Sequence, residues 1–291
     1  MIEDTPDDLI HDLFARNFWP GHPLGRPIIG SSESVGSFTG SMAQEYRRRR
    51  YLPGDIIISA AGRVDHDELV RLLAPFAAMA TGKTENDLSC APVPIGGAER
   101  FDRDLEQVHL CLGTRGINHT HADRHAGYLM NTLLGSGMSS RLFQEIRERR
   151  GLVYSVYSYL SPFSDAGSLV VYAGAEGGRI AEVVDLTLAE LKRLKREPFP
   201  AEELEAARNH FSGHLLLSLE NSENRMTRLA KTELHFGRNI PVEELLEAFR
   251  GVTAEEILAL ANDLFDDSSL SLALIGRVAD ISLEPDRVNL S

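Results

Sequence analysis

Apolar residues first recur at helical spacing where Leu9, Ile10, Leu13 and Phe14 follow Thr5-Pro6-Asp7-Asp8. An N-cap residue, a proline at the first helical position and two acids facing the dipole predict a helix start there. Trp19 to Gly30 is a Pro/Gly loop. A second helix is predicted from Ser41 to Leu52, stopped by Pro53-Gly54, and a third from Asp65 to Ala80 with Leu69, Leu72, Leu73 and Phe76 on one face. Between them, Ile56 to Ala61 is a short apolar run rich in β-branched residues and reads as a buried strand.

Thr81 to Gly97 has no periodicity and reads as a linker. Strands are predicted at Glu99 to Asp104, Val108 to Gly113, Val153 to Leu160, Ser168 to Ala175 and Leu270 to Ile275. Helices are predicted from Ala122 to Leu134 and from Arg141 to Arg150, the latter ending on Gly151 as a left-handed cap. Val184, Leu188, Leu191 and Leu194 form one further helical stripe, and Leu204, Ala207, Phe211 and Leu215 another. Thr253-Ala254-Glu255-Glu256 is a capping box before Ile257.

Both ends of the chain repeat one pattern. A helix runs into a strand that stops at Gly62-Arg63-Val64, and again at Gly276-Arg277-Val278. Such self-similarity predicts a duplicated unit of about 180 residues. The fold class expected is α+β, two homologous units each with an antiparallel sheet covered by helices, the first incomplete. Its divisions would be residues 1–80 (later part of the first unit), 81–97 (linker), 98–280 (complete second unit) and 281–291 (tail).

The net charge of −13 makes nucleic acid or an anionic membrane a poor partner. Two cysteines, Cys90 and Cys111, are too few for a disulfide framework, and Cys111 in its strand reads as a buried free thiol. There is no apolar run of membrane-spanning length and no basic, apolar leader. A cytoplasmic location is therefore the expectation.

LGSGMSSRLFQEIRERRGLVYSVYSYLSPF at 134–163 closely resembles the C-terminal half of the pitrilysin/insulinase zinc metallopeptidases, in their mitochondrial-processing-peptidase-like bacterial branch. EDTPDDLIHDLFARNFWPGHPLGRPIIG at 3–30, HLCLGTRG and LLLSLENSENRMTRLAK extend the resemblance over about residues 1–278. It implies a clamshell of two homologous units. The first carries His-x-x-Glu-His and a further Glu, which together supply the zinc ligands and the general base. No His here begins that motif, and the third-ligand Glu would fall before Met1. The chain reads as N-terminally truncated, and zinc is expected in the intact family member but not on this chain. What the resemblance carries over is a substrate-gripping pair, Arg147 and Tyr154, for peptide carbonyls and a developing oxyanion. A loop at Gly135, Gly137, Ser139 and Ser140 is expected to border the cleft.

Other residues have plainer readings. His119, His121 and His125 fit a polar loop and helix start, and His210 and His214 a surface helix pair, since no full ligand set accompanies either group. Arg47 to Arg50 reads as a solvated helix face. Three functions stay open: part of a zinc endopeptidase that contributes extended-peptide binding, an inactive family subunit that partners a zinc-bearing subunit or a second copy of itself, and a purely structural interaction protein.

Overall fold

A ladder forms only where a second extended segment lies alongside, and five of the predicted strands meet that condition. In the computed structural model, which describes residues 4–77, 91–279, 281 and 288–290, they are β1 (Gly97–Asp102), β2 (Val108–Arg115), β3 (Val153–Pro162), β4 (Gly167–Ala175) and β5 (Ser271–Gly276). They form one sheet in the order β1-β5-β2-β4-β3. β1 runs parallel to β5, and every other pair is antiparallel.

The helices are α1 (Pro6–Phe18), α2 (Ser32–Ser37), α3 (Gly40–Arg50), α4 (His66–Ala77), α5 (Arg124–Gly135), α6 (Ile180–Arg196), α7 (Ala201–Ser218), α8 (Ser222–Phe236), α9 (Val242–Gly251) and α10 (Ala254–Leu264). Thr5 caps α1 by position, but its side chain makes no capping bond. The capping box of α10 forms in full, with Glu256 N donating to Thr253 Oγ1 at 3.2 Å and Thr253 N to Glu256 Oε2 at 2.8 Å.

By Cα proximity the chain divides into residues 1–27, 91–212 and 242–291, and residues 28–90 with 213–241. The group of residues 1–27, 91–212 and 242–291 holds the sheet and is the sheet-bearing unit. Side chains alternate across its faces, as the period of two requires. Val108, Leu110 and Leu112 of β2, and Leu169, Val171 and Ala173 of β4, join residues of α5, α6 and α10 in the main core. Cys111, Val170, Tyr172 and Ile275 project the other way and are covered by Leu9, Ile10, Phe14, Phe18 and Trp19 of α1 and its end. β4 is therefore buried on both faces.

The other group, residues 28–90 with 213–241, differs from expectation in its described part. Residues 56–61 form no strand, because no other described segment lies alongside to complete a ladder, and Ile57 and Ile58 are exposed. The apolar face predicted for the third helix also stays largely outside a core, with Leu72 64% exposed. Within Trp19 to Gly30 there is a short 3₁₀ turn at Pro23–Gly25, and α2 follows where no helix was predicted. The continuation of α4 to Ala80 and the linker up to Cys90 lie outside the described residues.

Candidate functional site

The predicted helix from Arg141 to Arg150 is wound wider than an α-helix: Phe143–Glu148 is π-helical. Arg149 N donates to Gln144 O at 3.0 Å, and Leu152 N reaches back to Ile146 O at 3.1 Å. Gly151 ends the turn at φ +59°, in the left-handed region predicted for it, and its N–H donates to Arg147 O at 2.9 Å. π-helical turns recur at functional sites, since the extra residue re-aims side chains.

Four arginines lie in this stretch, and their surroundings separate them. Arg149 and Arg150 both pair with Glu145, which holds that carboxyl below its ordinary range, Arg150 being the larger cause. Arg141 is bound to Glu203 at 3.0 Å. Arg147 forms no ion pair among the described residues. Its guanidinium lies over the Phe143 ring, 4.9 Å from the centroid, and stays exposed. A cation on an aromatic rail keeps its donors for another molecule.

Tyr154 is at a β-bulge. The β3–β4 register pairs Val153 with Ala175 and then Ser155 with Gly174, leaving Tyr154 as the extra residue. A bulge turns its side chain away from the regular alternation. Val153 and Val156 stay in the core while Tyr154 is 79% exposed, which excludes the reading of this tyrosine as core. β3 is an edge strand. A surface pocket of about 350 Å³ opens here, lined by Gln107, Gly151, Tyr154, Gly174, Glu176 and Arg179 among others. Arg147 and Tyr154 thus flank Gly151, each presented to solvent.

The Gly135–Ser140 loop is a closed turn. A Cβ on Gly135 would meet Ser158 N at 2.4 Å, so this glycine lets α5 abut β3. Ser140 is buried and donates to Gly137 O at 2.7 Å, and Gln144 Nε2 donates to Met138 O at 2.7 Å. Gly137 takes φ +106° with open space around it. Ser139 borders a separate polar cavity with Arg141 and Glu190.

Two of the candidate histidines are engaged within the sheet-bearing unit. His121 Nδ1 accepts from Asp123 N at 3.1 Å at the start of α5. His125 packs edge-on to Phe249 with centroids 4.9 Å apart, and burial lowers its pKa to about 4. Among the described residues no group of three or more His, Cys, Asp or Glu is placed to hold a metal, so the donor set for zinc is not supplied by them. None of the described helices is long and apolar enough to cross a membrane.

Sequence reasoning missed one cluster. Under α1, His11 Nδ1 hydrogen-bonds Tyr159 OH at 2.7 Å, and its Nε2 hydrogen-bonds Tyr157 OH at 3.2 Å. His109 Nδ1 hydrogen-bonds Tyr172 OH at 2.9 Å. Burial lowers the pKa of both histidines, and burial raises those of the three tyrosines. The signal was the alternation of Tyr157 and Tyr159 with Val156 and Ser158, a second, aromatic face on β3.

The family described as "Peptidase M16 inactive domain" matches residues 37–211. An uncharacterized zinc protease of Mycobacterium tuberculosis is 39% identical over 269 residues, 91% of this chain and 61% of that protein. One from Bacillus subtilis is 35% identical over 278 residues, 94% of this chain and 67% of that protein. The chain thus spans about two thirds or less of these relatives. The crystal structure of a peptidase M16 inactive domain from Pseudomonas fluorescens superposes with a TM-score of 0.85 over 97% of this chain and 68% of that one; at 21% identity this likeness is one of fold. Family match, identity and architecture agree: the chain belongs to the M16 peptidases, the pitrilysin/insulinase family that its motifs resemble, and carries that family's inactive domain.

Proposed function

We propose that this chain supplies the non-catalytic, peptide-gripping half of a zinc endopeptidase, with Arg147 holding substrate carbonyls and Tyr154 donating to the oxyanion that develops at the scissile carbonyl. The observation that carries this reading is the contrast inside one short stretch. Arg141, Arg149 and Arg150 are tied to carboxylates, whereas Arg147 and Tyr154 stand exposed beside a π-helical turn and on a bulge. An arginine and a tyrosine so placed are open to a ligand, as the members of a binding pair must be. The metal chemistry is assigned to no residue here, and the zinc-bearing region that would complete the site is proposed to come from the same longer protein.

Activity of the full-length protein, or of this chain supplied with the zinc-bearing region of a relative, tests the reading on an unstructured peptide. Tyr154→Phe is expected to lower kcat by about 100- to 1000-fold, the range for removing one oxyanion donor. Arg147→Ala is expected to raise KM as well, because a charge-assisted contact is lost. Unchanged kinetics in both variants would remove the assignment.

A further inference from the structure

Phe143 opens the π-helical stretch that carries Arg147. It is partly buried and packs against the main core, on a turn anchored by the wholly buried Leu142 and Ile146. Its ring is thus held in place, and the Arg147 guanidinium lies over it, 4.9 Å from the centroid. The backbone around Arg147 is pinned as well, by the bonds from Arg149 N to Gln144 O, Gly151 N to Arg147 O and Leu152 N to Ile146 O. What stays free is the Arg147 side chain itself. An exposed arginine spreads over many rotamers, and a peptide that it grips has to freeze them. Among the described residues the Phe143 ring is the one aromatic, ionic or hydrogen-bonding partner of that side chain.

The neighbouring arginines are anchored differently. Arg141 also lies over a ring, that of Phe199 at 4.2 Å, but its charge is taken by Glu203 at 3.0 Å. Arg149 and Arg150 are both drawn to Glu145. Of the four, only Arg147 is held by a ring and by no carboxylate. The two kinds of anchor differ in consequence. A carboxylate neutralises the guanidinium and occupies its N–H donors. A ring face attracts the charge through its quadrupole and leaves those donors for oxygen acceptors.

We propose that Phe143 is a positioning residue for peptide binding: its ring holds the Arg147 guanidinium poised for a substrate carbonyl and so raises the fraction of molecules ready to bind. Resting on the assignment of Arg147 to substrate carbonyls, the role of Phe143 is to aim that arginine rather than to touch the peptide. A cation–π contact at an exposed site biases an equilibrium by about 2- to 5-fold, and apparent affinity follows the binding-competent fraction.

Peptide-hydrolysis kinetics of the full-length protein, or of this chain supplied with the zinc-bearing region of a relative, test this through a double-mutant cycle. Phe143→Leu removes the ring and keeps an apolar side chain against the core. It is expected to raise KM by about 2- to 5-fold, the change carried by KM rather than kcat. Phe143→Tyr retains the ring and should keep the parent KM. In an Arg147→Ala background, Phe143→Leu should add nothing further. A ring-fluorinated phenylalanine at position 143 keeps the shape while draining the electron-rich face. It is expected to raise KM as Phe143→Leu does, and it reads the contact even where truncation disturbs folding. An unchanged KM in the fluorinated protein, a rise in Phe143→Tyr as large as in Phe143→Leu, or an equal rise with and without Arg147 overturns the positioning role and leaves Arg147 as a substrate contact. An unchanged KM in Arg147→Ala removes the earlier assignment and this one with it.

Discussion

Gly135 and Gly137 stand two residues apart in one loop and are glycine for different reasons. At Gly135 a Cβ would press on the backbone N and the side chain of Ser158. Neither partner yields readily, since Ser158 Oγ is held by Asn131 Oδ1 at 2.8 Å. At Gly137 the space is open and only the positive φ matters. Gly135→Ala is therefore expected to cost about 1–3 kcal/mol of stability, as overpacking does. Gly137→Ala is expected to cost about 1 kcal/mol through strain alone. Denaturant midpoints of the two variants check the order, and equal losses would contradict it. The sequence showed a glycine-rich loop but not this division, because the contact with Ser158 joins distant segments. Arg147 and Tyr154 were singled out only through the family motif. The residue pattern does not reveal that Glu145 occupies two of the neighbouring arginines, nor that a register shift turns Tyr154 outward.

At the scale of elements, α1 is held by apolar packing and by one histidine. Leu9, Ile10, Phe14 and Phe18 are buried, each such side chain worth roughly 1.5–3 kcal/mol. His11 adds bonds to Tyr157 and Tyr159, with Cys111 Sγ 3.5 Å away, and His109 and Tyr172 share the same face. Burial lowers the pKa of His11 against the opposing pull of Asp8, Asp12 and Asp7. Below about pH 6.5 the unfolded chain takes up a proton that the folded one resists, so stability falls as pH drops through that window. It levels off once folded His11 also protonates. The single tryptophan, Trp19, is buried at the end of α1 and reports its docking. The urea midpoint read by its emission is expected to fall from pH 7 to pH 5, and less steeply in His11→Gln, with His109 and His125, whose pKa values burial also lowers, supplying the remainder. A parallel decline in both proteins would show that His11 is not responsible. Local signals placed these elements well: Pro6 with its acids opened α1, and Thr253 with Glu256 opened α10. The failure at Ile56 to Ala61 has a physical cause. β-branched content describes a residue's fit to a pleated surface, but a strand exists only with a partner, which local sequence does not encode.

In the molecule as a whole, the pattern ending at Gly276-Arg277-Val278 closes the sheet as β5, whereas its counterpart ending at Gly62-Arg63-Val64 includes no strand at residues 56–61. Which helix covers which sheet face was not readable, because the answer lies in docking between segments a hundred residues apart. Within the sheet-bearing unit, α1 and its end seal the face that carries Cys111, Val170, Tyr172 and Ile275. Cys111 is fully buried, and burial raises its thiol pKa well above the ordinary value. It should therefore be nearly inert while α1 is docked, since the thiolate is the reactive form and needs access. In a Cys90→Ser background, where Cys111 is the remaining cysteine, deletion of residues 1–27 is expected to raise its labelling rate by roughly tenfold or more, limited by local rather than global opening. Phe18→Ala, which removes one wholly buried ring from the same contact, should raise the rate to an intermediate degree while leaving the helix-covered core folded. Amide protection in β2 and β4 distinguishes local exposure from unfolding. Labelling that stays slow in both variants, with those amides still protected, would show that the sheet face is closed without α1.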